Sequence, residues 1–184
     1  AYYDAGSRSF YTKRKPIASP SDLKGLKIRV MESVTAMKMV ESMGGSPTPI
    51  SWGELYTSLQ QEVVDGAENN PPSFYLSKQF EVCKHYTLDE HTTLPDVLVS
   101  GSYFWDGLNE NQKEWLNEAV EISVIYQRHL WAESEAYSLL ELRKAGVEIV
   151  YPDKKMFEDM VKPVYDYYRT NGEMDVLINQ IKNQ

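Results

Sequence analysis

Three polar residues stand where extended stretches of the chain give way to turns. Arg8 follows Gly6 and Ser7 at the start of an alternating run, Arg29 lies between Ile28 and Val30, and Asn69 closes a third run just ahead of Asn70, Pro71 and Pro72. An arginine inside an apolar strand is costly unless its guanidinium finds a partner. Two guanidinium forks converging from neighbouring strands would suit one carboxylate, because each can donate paired N–H bonds to its oxygens. An asparagine amide supplies both a donor and an acceptor, which a hydroxyl-bearing carbon beside that carboxylate requires. Ordinary internal ion pairs would also account for both arginines, and on spacing alone that plainer reading leads.

Around these three lie residues with weaker claims. Trp52, in the first turn of a helix, could stack on a sugar ring or fill the core. Glu32, Asn70 and Ser73 are near enough in sequence to reach the same crevice, although each also suits a cap or a surface position. Signatures of catalysis are missing: there is no GxSxG, P-loop or GxGxxG pattern, and Cys83 has only His85 nearby. No acid–base pair stands out, so no catalytic residue is expected. Cys83 is the only cysteine, which excludes an internal disulfide and metal motifs built on paired cysteines. His85, His91 and His129 lack metal-ligand spacing, so neither a metal nor a cofactor is expected.

A net charge of −8 argues against nucleic acid, which needs a basic face, but not against a small anion held by one or two buried arginines. Hydrophobic residues at 42% and charged residues at 25% fit a soluble globular chain. No apolar run approaches the ~18 residues of a membrane span.

The elements that must position the polar residues follow from periodicity and breakers. Residues 7–13, Lys27–Met31, Ser46–Ile50, Val63–Glu68, 85–92, 96–104 and Val147–Tyr151 read as strands. Ser33 caps a helix through Met43, with Val34, Met37, Val40 and Met43 on one face and Gly44-Gly45 closing it. Ser51 and Glu54 suggest a capping box for a helix to about Gln61, and 73–83 also reads as helix. From Asn109 to about Ala145 no proline or glycine interrupts a helical pattern that would extend about 55 Å. Asp153 starts a C-terminal helix, adjusted at Pro163 and broken at Gly172. The alternation predicts a largely parallel α/β sheet with ligands at the carboxyl ends of its strands.

At these same residues the chain resembles the DctP-type substrate-binding proteins of tripartite ATP-independent periplasmic (TRAP) transporters. The matching stretches are Gly6-Ser7-Arg8, Asp22 to Val30, Gly44 to Pro49, Glu54-Leu55-Tyr56, Leu59-Gln60 and Val63 to Asn70, in order and at the right spacing. The resemblance implies that Arg29 makes the principal salt bridge to a ligand carboxylate and that Arg8 assists. It also implies that Asn69 contacts the ligand and that Trp52 lines the pocket. The stretch from Ala67 to Phe74 looks like the branch that handles uronates and related sugar acids. C4-dicarboxylate and sialic-acid binders share the arginines and form the alternative, and an enzyme acting on sugar acids comes last.

The implied fold is the two-lobe architecture of periplasmic binding proteins, with this chain supplying mainly the second lobe and a long linking helix. Residues 1–94 and 135–184 are expected to build that α/β lobe, and 95–134 to contribute to a first lobe mostly outside these residues. The resemblance further implies a signal peptide removed on export, a periplasmic or membrane-anchored location, a small organic-acid ligand, and the membrane subunits of a TRAP transporter as partners.

Overall fold

The computed structural model describes residues 1–182. The chain opens with β1 (Tyr2–Tyr3) and β2 (Ser7–Thr12), passes a 3-10 turn (Pro20–Leu23), and forms β3 (Lys27–Val30), α1 (Val34–Ser42) and β4 (Ser46–Pro49). It continues through α2 (Trp52–Gln60), β5 (Gly66–Asn69), α3 (Pro71–Leu76), a second 3-10 turn (Gln79–Glu81), β6 (His85–Thr93) and β7 (Asp96–Val97). Helices α4 (Ser102–Asp106) and α5 (Glu110–Lys144), strand β8 (Glu148–Val150), and helices α6 (Lys154–Met160), α7 (Lys162–Arg169) and α8 (Gly172–Lys182) complete it.

Six strands form the main sheet in the order β4-β3-β5-β2-β6-β8. It is largely parallel, as the alternation predicts, except that β2 runs against both β5 and β6. This reversal matters for the polar residues. It puts the amino end of β2, with Arg8, beside the carboxyl ends of β5 and β6, where Ser9 pairs with Asn69 and Arg8 with Thr92. Successive β2 side chains then serve opposite faces. Phe10 joins Ile28, Val30, Val40 and Phe157 on one, and Tyr11 joins Leu55, Phe74, Tyr86 and Leu142 on the other. Helices therefore cover both faces of the sheet.

Several boundaries differ from expectation. Only Asp96 and Val97 of the stretch 96–104 are strand, paired with β1 in a separate two-stranded ribbon, whereas Ser102–Asp106 coils behind Gly101. Its aromatic residues favour strands only where a sheet offers a partner, and here Tyr103 is 96% exposed. Strand β5 begins at Gly66, because the Asp65 carboxylate accepts from the Lys27 amide at 2.8 Å and closes a turn first. The helix over 73–83 starts earlier, at Pro71, and ends at Leu76, since Lys78 takes a left-handed φ of 58°. The capping box at Ser51 does not form: the Ser51 hydroxyl donates to the Glu54 carboxylate at 2.6 Å, and neither side chain reaches the backbone.

Helix α1 is closed by Gly44, whose φ of +89° only glycine adopts freely. Its buried stripe is Met39, Val40 and Met43, while Val34 faces solvent. The single C-terminal helix is three, broken at Val161 before Pro163 and at Asn171, whose side chain accepts from the Glu173 amide at 3.0 Å.

Helix α5 runs unbroken for 35 residues, about 52 Å, with a reciprocal capping box between Asn109 and Gln112 at 3.0 Å each way. Its carboxyl end buries Leu142 against the Tyr11 core. Its first half leaves Trp115, Ile122, Ile125 and Tyr126 exposed. No helix among the described residues is long and apolar enough to cross a membrane.

Candidate ligand-binding site

A cleft of about 500 Å³ opens where the carboxyl ends of β3 and β5 meet the amino end of β2. Arg8, Trp52, Asn69, Asn70 and Ser73, all expected at the site, line it. Glu32 does not: it is exposed beyond the end of β3 and forms no part of the cleft surface. Arg29 is not on the surface either, but its Cζ stands 5.8 Å from the centroid of the Trp52 indole, which is.

The two arginines are in different electrostatic states. A guanidinium has five N–H donors, and Arg8 commits four. Nε and Nη2 grip the two carboxylate oxygens of Glu68, Nη2 also donates to the Glu68 carbonyl at 2.9 Å, and Nη1 donates to Asn69 Oδ1 at 3.0 Å. One N–H on Nη1 is left for anything else. Arg8 thus has the internal ion pair that spacing alone suggested, and its paired fork is not available to a second carboxylate.

Arg29 shows the opposite pattern. It is only 3% exposed, yet its single side-chain hydrogen bond runs from Nε to the Ile50 carbonyl at 2.8 Å. Both terminal nitrogens are unbonded, and no carboxylate lies within ion-pair distance among the described residues. Burial pulls its pKa below the usual arginine value; Tyr11 and Glu68 oppose the shift and Arg8 adds to it. A cation so placed is relieved by an anion that brings its own acceptors.

Beneath Arg8 lies a network that the sequence did not reveal. The register between β2 and β6 slips between Arg8 and Phe10, and β6 bulges through Glu90, at a left-handed φ of 50°. The bulge turns Asp89 and His91 inward. His91 stacks on Phe10 with ring centroids 4.2 Å apart, its Nδ1 lies 2.7 Å from Asp89 Oδ2, and its Nε2 lies 3.7 Å from Glu68 Oε2. Burial alone would push His91 down, but Asp89 and Glu68 outweigh it and hold the imidazole at about 9. Burial would likewise raise Glu68, and His91 and Arg8 hold it below the usual carboxylate range. Arg8, Glu68, His91 and Asp89 are then four alternating charges that sum to zero.

Asn69 and Asn70 divide their labour. Asn69 Oδ1 accepts from Arg8 and from the Asn70 amide, its carbonyl accepts from the buried Tyr86 hydroxyl at 2.9 Å, and its amide nitrogen makes no bond among the described residues. Asn70 is tied at both ends: Oδ1 caps α3 through the Ser73 amide at 2.8 Å, and Nδ2 donates one of its two hydrogens to the Ala5 carbonyl at 2.9 Å. The Ser73 hydroxyl is uncommitted among the described residues. Among the residues expected at the site, the groups able to bind something in the cleft are therefore Arg29 beside Trp52, one N–H of Arg8, the Asn69 amide, the second N–H of Asn70 Nδ2 and the Ser73 hydroxyl.

Sequence reasoning missed Glu68, Met31, Asp96 and Trp131. Glu68 carried a readable signal, since a carboxylate between Ala67 and Asn69 in a buried strand needs a cation as much as Arg29 needs an anion. Trp131 carried none: it sits among ordinary helical residues of α5, and only packing brings it over Gly6 to line the cleft. A Cβ at Gly6 would come within 2.6 Å of Glu135 Oε1 and 2.9 Å of Trp131 Nε1.

Comparison with known proteins gives this geometry a context. The family model described as bacterial extracellular solute-binding protein, family 7, matches residues 1–171. A solute-binding protein of Chromohalobacter salexigens is 37% identical over all of this chain, which spans 55% of that protein's length. Among solved structures, a TRAP periplasmic solute-binding protein from Sulfitobacter sp. NAS-14.1 with bound β-D-galacturonate superposes with a TM-score of 0.95 at 44% identity. One from Chromohalobacter salexigens with bound D-glucuronate superposes at 0.96 and 37% identity. Each is covered over 62% of its own chain and matches 100% of this one.

Proposed function

Since the chain belongs to the bacterial extracellular solute-binding proteins of family 7, we propose that it is the larger part of a protein that captures a uronate outside the cytoplasm for a TRAP transporter. The observation that carries this reading is Arg29: a buried guanidinium with two unbonded terminal nitrogens, set against Trp52 at the strand ends. A planar fork of that kind matches a carboxylate. The exposed indole suits the C–H face of a sugar ring, and the free groups of Asn69 and Ser73 suit hydroxyls next to the carboxylate.

C4-dicarboxylates and sialic acid would use the same arginine. They stand behind a uronate because both solved neighbours described above hold one. The protein binds and releases its solute unchanged, delivering it to the membrane subunits of the transporter. Residues 95–134 belong with a first lobe built largely by other parts of the protein. The separate β1–β7 ribbon and the exposed apolar half of α5 support this division, and the pairing moves Tyr2 and Tyr3 to the same side.

Titration calorimetry on the full-length protein with D-glucuronate, D-galacturonate, succinate and sialic acid tests the assignment. Uronate heats with the recovered ligand unaltered in mass are expected. Binding of succinate or sialic acid with no uronate heat overturns the proposal.

A further inference from the structure

Among the polar groups on the cleft surface stands one acid without a partner among the described residues. Asp96 lines the same cleft as Arg8, Trp52 and Asn69, and it is the only carboxylate on that surface among the described residues. It lies on β7, so it reaches the cleft from the two-stranded ribbon, whereas the others reach it from the main sheet and its helices. It forms no ion pair and no side-chain hydrogen bond among the described residues. The cleft therefore carries guanidinium from the main sheet and a carboxylate from the ribbon, and the ligand's own carboxylate, drawn to the first, is repelled by the second.

We propose that Asp96 is a specificity-determining residue, accepting hydroxyl hydrogens from the part of the ligand remote from its carboxylate and rejecting ligands that carry a second carboxylate there. This rests on the uronate reading above. An ionised carboxylate can only accept, so its partner in the ligand must be a donor. A uronate presents ring hydroxyls beyond its single acid group. A C4-dicarboxylate anchored by one end presents a second anion instead, and like charges so placed are a standard means of excluding the wrong ligand. Because Asp96 is exposed, water and salt screen the repulsion, and the discrimination expected is on the order of tenfold.

The test uses the full-length protein, with calorimetric titration of D-glucuronate, D-galacturonate and succinate into the parent, Asp96→Asn and Asp96→Ala. Both substitutions are at an exposed position, and unchanged melting temperatures verify that the variants fold. In both variants uronate binding weakens by about tenfold, as expected for a lost charged acceptor, while succinate binding holds or tightens. A uronate-to-succinate ratio that stays within twofold of the parent in both variants, with the parent binding uronate, overturns the role of Asp96 and leaves the uronate reading intact. A parent that binds succinate and ignores uronates overturns both.

Discussion

The guanidinium of Arg29 lies 5.8 Å from the centre of the Trp52 indole while its Nε is tied to the Ile50 carbonyl. The backbone carbonyl fixes the direction of the fork, and the indole shields one side of it from water. The arginine is thereby held in position before any anion arrives, so little side-chain entropy remains to be lost on binding. Arg8 differs because Glu68 already neutralises it.

Removing Arg29 should cost the most. Loss of a buried charge partner costs about 3–5 kcal/mol, so Arg29→Ala should weaken uronate binding by at least a hundredfold. Arg29→Lys should fail as well, because a point ammonium does not reproduce the fork. Calorimetry on the full-length protein reads this directly, and binding within threefold of the parent by Arg29→Ala would remove the residue from the site.

Trp52 should govern preference more than affinity for the carboxylate. It is 48% exposed on the cleft wall. Trp52→Ala should lower the preference for a uronate over succinate, and Trp52→Phe should keep most of it, since a ring face remains. An unchanged preference in Trp52→Ala would make the indole a packing residue only.

His91 should make stability depend on pH. Its folded pKa, about 9, lies above the ordinary value of 6.5. The native state therefore holds its proton more tightly than the unfolded chain does. The stabilisation is fully present below pH 6.5 and is lost as pH rises through 9, by up to about 3 kcal/mol. Urea denaturation of the parent at pH 6 and pH 9.5 measures the loss. His91→Gln should be less stable at pH 6 and much flatter across that window. A parent curve as flat as the variant's would show that His91 is neutral in the fold.

Gly6 should resist substitution. Its φ of +68° disfavours any side chain, and a methyl group would meet Glu135 and Trp131. Gly6→Ala should destabilise by at least about 1 kcal/mol from the backbone alone, with uronate binding weakened because Trp131 lines the cleft. Thermal melting with and without ligand checks both effects.

The 184-residue chain on its own should bind an apolar dye, because Trp115, Ile122, Ile125 and Tyr126 on α5 face solvent together with Tyr103 and Phe104. The full-length protein should not, and X-ray scattering should show it compacting on ligand. A dye-silent fragment that itself contracts with a uronate would contradict the division into two lobes.

The sequence made regular elements readable where local signals agreed. Asn109 and Ala145 bracket α5 within a residue, because a cap, an uninterrupted pattern and Gly146 all coincide. Arg29 was readable because a charge between Ile28 and Val30 conflicts with its surroundings. What stayed hidden depends on contacts distant in sequence. Only the bulge in β6 turns His91 beneath Arg8, and only the ribbon brings Asp96 to the cleft. Of 96–104, only Asp96 and Val97 find a strand partner, in β1, and the aromatic residues that follow do not, because propensity reports on packing partners as much as on the backbone.

The reversed strand β2 also governs the order in which the molecule can be made. Its partners are residues 66–69 and 85–93. Both lie later in the chain than β2, which stays unpaired on both edges until they have joined it. The two faces of the core that receive Phe10 and Tyr11 are finished later still, by Phe157 and Leu142. Such distant pairing slows folding and lengthens the interval in which an open edge is exposed. The stretch from Ser7 to Thr93 therefore stays loose and accessible until both pairings have formed.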